Sequence, residues 1–297
     1  MRARIFLALT ALLLAPACAA PPANPGNFGK TTFAARDGVH LFEQAAALVV
    51  VHGLKDHSSR YADLAKALVA RGFAVHAFDL RGHGRSGGDR VWVDDFSQYL
   101  DDLDVFLARV RAAEPGRPIF LMGHSMGGAI VALYAIEKQP AIAGLVLSAP
   151  AIRLDVLAPT RASAHAASTL TPRLAIMSLD DDRFSRDAAV VKAMREDPLV
   201  YDDNGPARTA GELLNAISEI QDRMEELRAP LLILHGTADE ITSPEGSREL
   251  ARRAGSTDKT LDLYDGYYHD LLHEPAPDRA RVLADLTAWL VARTGKK

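Results

Sequence analysis

Apolar runs of strand length alternate with amphipathic helical stretches along most of this chain, and that alternation restricts its fold more than any other feature. The runs are "AALVVVHG" (46–53), "FAVHAFDL" (73–80), "PIFLMG" (118–123), "IAGLVLSAP" (142–150), "PLLILHG" (230–236) and "KTLDLYDG" (259–266). Strands that are apolar without a polar face are buried on both sides, the pattern of a parallel sheet covered by helices. The intervening stretches supply those helices. Residues 95–116 carry Phe96, Tyr99, Leu100, Leu103, Phe106, Leu107 and Val110 in one 3.6-residue stripe. Residues 60–72 place Tyr61, Leu64, Ala65 and Leu68 on one face before Gly72, residues 127–140 end at Pro140, and residues 278–294 bury Val282, Leu283, Leu286, Trp289 and Leu290. The expected fold is α/β, with a mostly parallel central sheet flanked by helices and a ligand site at the carboxyl ends of the strands.

Residues 151–228 break the rhythm. They hold no convincing strand, only scattered apolar residues such as Leu154, Leu157, Leu170, Leu174, Ile176 and Met177. A helical insertion at this point of a parallel sheet lies over the strand ends, where a lid or substrate cap belongs. A purely structural insertion is the plainer alternative.

The N-terminus has a different origin. Arg2 and Arg4 precede the apolar run Ile5–Leu14 and a small-residue segment, Ala15 to Ala20, so residues 1–20 read as a secretory signal peptide. The run is shorter than the roughly 20 apolar residues of a transmembrane helix. Cys18 is the one cysteine in the chain, so intrachain disulfides are excluded. Its position resembles a bacterial lipobox, making it a candidate for lipidation, although Ala15 stands where Leu is usual. Ordinary cleavage after Ala17, Ala19 or Ala20 is the alternative. Residues 21–30, "PPANPGNFGK", read as a tether to an α/β domain spanning 31–297. The expected location is outside the cytoplasm, either as a membrane-anchored lipoprotein or as a periplasmic or secreted protein. The 297 residues suffice for one large domain, and a net charge of −4 without a basic stripe argues against a nucleic-acid partner.

Two segments fit Gly-x-Ser-x-Gly, the signature of a nucleophile elbow: Gly84-Arg85-Ser86-Gly87-Gly88 and Gly123-His124-Ser125-Met126-Gly127. An elbow requires a strand, a sharp turn and then a helix. "PIFLM" and "AIVALYAI" provide that frame around Ser125, whereas Ser86 follows a loop and precedes "GGDRVW", which reads as a Gly-rich turn. A serine hydroxyl needs a base, and the base an orienting carboxylate, in the chain order Ser, acid, His. Asp239 follows a strand in "LILHGTADEI", with Glu240 beside it as a substitute, and His269 follows the strand "TLDLYDG". His273 is four residues further on. This pair lacks the Glu that a zincin pattern places after its first His, and no third ligand stands out, so no metal is expected. Two backbone donors are needed for an oxyanion: Met126 N–H, next to the nucleophile, and Leu54 N–H, in the loop after the "VVV" strand.

Together "HGLKDHSSRY", "FDLRGHGRSGG", "FLMGHSMGGAI", "DPLVY", "ELLNAI" and "LILHGTADEITSPEGSRELARRAGSTDKTLDLYDGYYHDLLHEP" resemble the monoacylglycerol lipase family of α/β-hydrolases, which includes lysophospholipase-like members. The resemblance spans about residues 37–293. It implies an α/β-hydrolase fold with a cap over an acyl tunnel in 151–228, and Ser125, Asp239 and His269 as the triad with Leu54 and Met126 as oxyanion donors. It also implies that Asp56 and Arg60 support the oxyanion loop, with Asp in place of a longer Glu, and that Ser86 belongs to a structural Gly-His-Gly-x-Ser loop. The expected activity is hydrolysis of a lipid carboxylic ester, most simply a monoacylglycerol, without metal or organic cofactor and at a membrane surface. Lysophospholipids, simple carboxylic esters and N-terminal peptides are alternative substrates, and an inactive acyl-binding lipoprotein is the non-enzymatic alternative. About ten residues that family members carry between "VHLFEQ" and "AALVVVHG" are missing, so a shortened early edge hairpin is expected.

Overall fold

In a computed structural model of the chain, residues 46–155 and 157–294 are described in full and residues 31–34 and 40–43 by their backbone. The signal segment, Cys18 and the tether lie outside the described residues.

The elements in chain order are β1 (Thr31–Ala34), β2 (His40–Glu43), β3 (Ala46–Val51), α1 (Ala62–Val69), β4 (Phe73–Phe78), α2 (Ser97–Ala113), β5 (Ile119–His124), α3 (Met126–Lys138) and β6 (Gly144–Ser148). Then come α4 (Ala158–Leu170), β7 (Ala175–Met177), α5 (Ala188–Arg195), β8 (Gly205–Pro206), α6 (Ala207–Arg223), β9 (Leu231–Gly236), α7 (Pro244–Arg253), β10 (Lys259–Tyr264) and α8 (Ala276–Ala292). Six strands form the central sheet in the order β10-β9-β6-β5-β3-β4, and every neighbouring pair is parallel.

Side chains alternate across this sheet with period two. Val49, Val51, Leu121, Leu147 and Ile233 face one layer, where they pack with Leu103 and Leu107 of α2, Ile130 of α3 and Ile217 of α6. Leu48, Val50, Phe120, Met122, Val146 and Leu234 face the other, with Leu64 and Leu68 of α1 and Leu286 and Leu290 of α8. Both faces are therefore covered, and this explains the near-continuous apolar strands. Gly144 at the start of β6 has a specific reason: a Cβ there would come 2.6 Å from the Trp289 ring of α8.

The strand order reverses between β3 and β5. From β3 the chain crosses to β4 on one side, and β5, β6, β9 and β10 build outward on the other. Such a reversal of strand order is where open parallel sheets bind ligands, outside the carboxyl ends of the strands. Residues 151–228 separate β6 from β9, which are neighbours in the sheet, and they contribute α4, α5 and α6. The expectation of no strand in this segment needs correcting, because β7 and β8 form a small antiparallel pair. A two-residue strand containing Pro206 is too short to leave a periodic signal. The early hairpin β1–β2 is antiparallel and forms a sheet of its own, so among the described residues β4 is the edge on that side.

Candidate active site

Ser125 follows the last residue of β5 and precedes the first of α3. Its backbone sits at φ 54° and ψ −121°, a conformation disfavoured for any residue with a Cβ. The flanking glycines are required by contact. A Cβ on Gly123 would lie 2.2 Å from the Gly127 carbonyl oxygen, and one on Gly127 would lie 2.2 Å from that of Val51. The turn is also fastened by backbone bonds: Ser125 N–H donates to Ser148 O (3.0 Å), and Ala151 N–H donates to Ser125 O (2.9 Å). Ser86 is differently employed. Its hydroxyl donates to the Asp79 carbonyl at 2.6 Å, inside a turn containing Gly82, Gly84 and Gly88 at positive φ.

The loop after β3 runs close beside the elbow. A Cβ on Gly53 would come 3.1 Å from that of Ser125. Buried His52 fixes this loop: its Nε2 accepts from Leu80 N–H (2.9 Å), so its Nδ1–H is the donor to the Gly53 carbonyl (2.8 Å). In a trans peptide the carbonyl and the following N–H point in opposite directions. Holding the Gly53 oxygen therefore fixes the direction of the Leu54 N–H.

Asp239 and His269 meet behind the strand ends. His269 Nδ1 donates to Asp239 Oδ2 at 2.8 Å, and both side chains are fully buried. The other ring nitrogen of His269, Nε2, is buried and makes no hydrogen bond in the structure. Asp239 Oδ1 accepts from Ile241 N–H (2.8 Å) and Thr242 N–H (3.0 Å). Burial alone would raise the Asp239 carboxyl, but the imidazoles of His269 and His235 outweigh it and hold the group well below the usual carboxylate range. Glu240, the sequence alternative, is exposed and pairs with Arg183 at 3.2 Å. The His269 ring packs against His124 at 4.8 Å and against the edge of Phe184 at 5.5 Å. Burial, then the neighbouring His269, pushes His124 down to about 4.

His269 and His273 do not converge on a common point. His273 Nδ1 bonds Asp270 (2.9 Å) and its Nε2 donates to the Arg60 carbonyl (3.0 Å). Asp270 also accepts from the Arg60 guanidinium at 2.9 Å, while Asp56 lies 3.5 Å from Arg60 Nε. Asp56 spends its short side chain on the His57 N–H (2.7 Å) and the Tyr61 hydroxyl (3.3 Å). The carboxylate that holds Arg60 most closely is thus Asp270, adjacent to His269. Burial would raise Asp270, but His273 and Arg60 overcome it and keep it ionised. The sequence gives no sign of this role for Asp270, which stands out there only as the residue after His269.

The 151–228 insertion touches these loops directly. Tyr201 N–H donates to Lys55 O (3.0 Å), Asp270 N–H donates to Phe184 O (2.7 Å), and Asp197 bonds His57 Nε2 (3.0 Å). Between the insertion and the β3 loop lies a pocket lined by Leu54, Lys55, Arg60, Phe184, Met194 and Tyr201, among others.

Comparison with known proteins agrees with this arrangement. Residues 43–276 match the family described as serine aminopeptidase, S33. The chain is 37% identical over 247 residues to the monoacylglycerol lipase of Mycolicibacterium smegmatis, covering 82% of this chain and 88% of that protein. It is 35% identical over 270 residues to human monoglyceride lipase, covering 87% and 89%. The crystal structure of Paleococcus ferrophilus monoacylglycerol lipase superposes with a TM-score of 0.77 at 33% identity, covering 84% of this chain and 96% of the other. A six-stranded parallel sheet, an elbow at its switch point and these similarities lead to one conclusion: the chain belongs to the monoacylglycerol lipase-like family of α/β-hydrolases, enzymes that cleave carboxylic esters with a serine.

Proposed function

We propose that the protein hydrolyses monoacylglycerols to fatty acid and glycerol through an acyl-enzyme. Ser125 Oγ attacks the ester carbonyl while His269 Nε2 takes its proton. The N–H groups of Leu54 and Met126 stabilise the tetrahedral oxyanion. His269 then protonates the departing glycerol oxygen, and water, deprotonated by the same imidazole, releases the fatty acid and restores Ser125. Asp239 holds His269 in the tautomer that leaves Nε2 free to accept. The observation that carries this reading is the buried 2.8 Å His269–Asp239 bond with Nε2 unbonded, the His269 ring packed at 4.8 Å on His124, which immediately precedes the serine held in a strained elbow. Residues 151–228 act as the substrate cap. Exposed Leu157, Leu170, Leu174 and Ile176 on that insertion suit a membrane surface from which a lipid substrate is drawn. The signal segment and Cys18 are proposed to export and anchor the protein there.

The test is release of fatty acid from 1-monoacylglycerols by the purified protein and its Ser125→Ala variant. Release by the wild type alone supports the reading. Release only from short-chain esters makes the protein a general carboxylesterase, cleavage of aminoacyl amides alone makes it a peptidase, and acyl-chain binding without turnover makes it a carrier.

One observation favours lysophospholipids as second substrates. Lys55 is 9% exposed, sits at φ 64° beside Leu54, and has no ion pair among the described residues. Burial lowers its ammonium, with Asp181, Asp202 and Asp203 opposing from a distance. Its ammonium lies 5.9 Å from the centre of the Tyr201 ring, and a phosphodiester in this pocket would add the anionic partner that the ring does not provide; hydrogen bonds to charged groups are worth about 1.5–3 kcal/mol. Lys55→Met is expected to lower kcat/KM for a lysophospholipid relative to a monoacylglycerol by at least about tenfold. An unchanged ratio removes this second reading.

A further inference from the structure

The carboxylate that orients His269 serves a second imidazole. His235, the fifth residue of β9, is completely buried, and its Nε2 lies 3.0 Å from Asp239 Oδ2, the oxygen that also binds His269 Nδ1. The tautomer follows from the partners. Oδ2 of an ionised Asp239 can only accept, as can the Thr242 carbonyl 3.2 Å from the same nitrogen, so His235 Nε2 carries the hydrogen. Its Nδ1 is then the acceptor for the Ser247 hydroxyl, 2.7 Å away on α7 and likewise buried. A chain of donations therefore runs from Ser247 through His235 to Asp239, opposite the donation from His269. Thr242 Oγ adds a contact to the same Oδ2 at 2.9 Å.

We infer that His235 is a positioning residue for the His269–Asp239 pair, one that sets the basicity of His269 by withdrawing charge from the shared carboxylate oxygen. This rests on the proposed triad. Several charges and dipoles face the pair. On the Asp239 side these are His235, Thr242 and the Ile241 and Thr242 amides; on the His269 side they are His124 of β5 and the Phe184 ring of the insertion. Asp270, adjacent in sequence to His269, is tied to Arg60 and His273. Of this group only His235 and Thr242 also hydrogen-bond the carboxylate oxygen that binds His269, and of the two only His235 does so from within a strand of the sheet. Without its donation, negative charge concentrates on Oδ2, protonated His269 is favoured, and the base titrates at higher pH. Oδ2 is also freer to swing, because its anchor to β9 and α7 is gone.

The experiment follows the imidazole resonances of His269 by nitrogen-15 NMR across pH in the full protein, an observable that does not depend on turnover. It uses three variants: His235→Leu, which removes the donor and keeps the volume; His235→Gln, which keeps a donor near Nε2; and Ser247→Ala, which leaves His235 in place but removes the group fixing its tautomer. The expected result is an upward shift of the His269 midpoint in His235→Leu, a smaller one in Ser247→Ala, and a return toward the wild-type value in His235→Gln. Where ester hydrolysis is measurable, the acid limb of kcat/KM moves with the NMR midpoint, and kcat in His235→Leu falls about tenfold with KM unchanged. A His269 midpoint unmoved in both His235→Leu and Ser247→Ala overturns the inference, as does a His235→Gln midpoint that stays with Leu. Should His235→Leu fail to fold, Ser247→Ala and His235→Gln decide it in the same way. A wild type without esterase activity overturns the proposed function alone, since the NMR shifts are read regardless.

Discussion

Ser125→Ala is expected to lower kcat for ester hydrolysis by about a millionfold, the scale on which removal of a triad nucleophile acts. Only the oxyanion donors and substrate binding would remain, and these do not form an acyl-enzyme. Ser86 offers no substitute, because its hydroxyl is committed to the Asp79 carbonyl at 2.6 Å within a closed turn. A companion substitution separates chemistry from backbone strain. Ser125 holds φ 54° and ψ −121° with a Cβ, and strain of this kind costs about 1–3 kcal/mol. Ser125→Ala keeps the Cβ and the strain. Ser125→Gly loses both, offset by the greater freedom of glycine in the unfolded chain, and is expected to be inactive yet about 1 kcal/mol more stable. Urea unfolding of the three proteins, compared with single-turnover acylation, measures both effects. Residual activity in Ser125→Ala above about one per cent of wild type would remove Ser125 from the nucleophile role. A Ser125→Gly midpoint below that of Ser125→Ala would show that the elbow is not strained.

The main features of the sheet could be read from the sequence because strands buried on both faces leave continuous apolar runs, and each of the six predicted strands overlaps one observed strand. The elbow was legible for a different reason: both glycines sit within two residues of Ser125, Gly123 forced by the Gly127 carbonyl and Gly127 by the Val51 carbonyl of β3, so the constraints, one local and one from the neighbouring strand, fall together as a short motif. The polar network around the proposed triad was not legible. His235 was overlooked although it lies four residues before Asp239, because its significance depends on Ser247 and Thr242, which α7 and its preceding loop bring back onto β9. Helix α7 itself was missed, since its sequence "PEGSRELARR" carries one apolar anchor, Leu250, and no clear stripe. Asp270 was likewise read only as the residue after His269. Its tie to Arg60 spans 210 residues, as the His273 bond to the Arg60 carbonyl spans 213, and such contacts leave no periodic trace. The insertion was recognised by its failure to fit the sheet pattern, and its contacts with His57 and Lys55 emerged only in three dimensions.

Asp239→Asn is expected to lower kcat by about ten-thousandfold while leaving the protein folded. The isosteric amide can still accept from Ile241 and Thr242 through its oxygen, which remains where Oδ1 is bound at 2.8 and 3.0 Å. Its NH2 group then replaces Oδ2, 2.8 Å from His269 Nδ1. Two donors cannot face each other, so His269 must move its hydrogen to Nε2 and accept at Nδ1. In that tautomer Nε2 presents a hydrogen toward Ser125 and cannot take one. His235 adds a consequence particular to this protein. Its Nε2–H faces the same amide at 3.0 Å, so it must either meet that donor with its own or change tautomer, which reverses its bond with Ser247 and leaves an unprotonated Nε2 facing the Thr242 carbonyl 3.2 Å away without a donor. An unmade buried hydrogen bond costs about 1–3 kcal/mol, so a measurable loss of stability should accompany the loss of activity. The double variant Asp239→Asn with His235→Leu relieves that conflict and should recover stability without recovering kcat. Glu240→Gln is the control, since Glu240 is exposed and engages Arg183, and its kcat should stay within about twofold of wild type. If Glu240→Gln instead lost activity to the extent expected of Asp239→Asn, the acid of the triad would have to be reassigned to the neighbouring residue, and the two-imidazole arrangement around Asp239 would be structural.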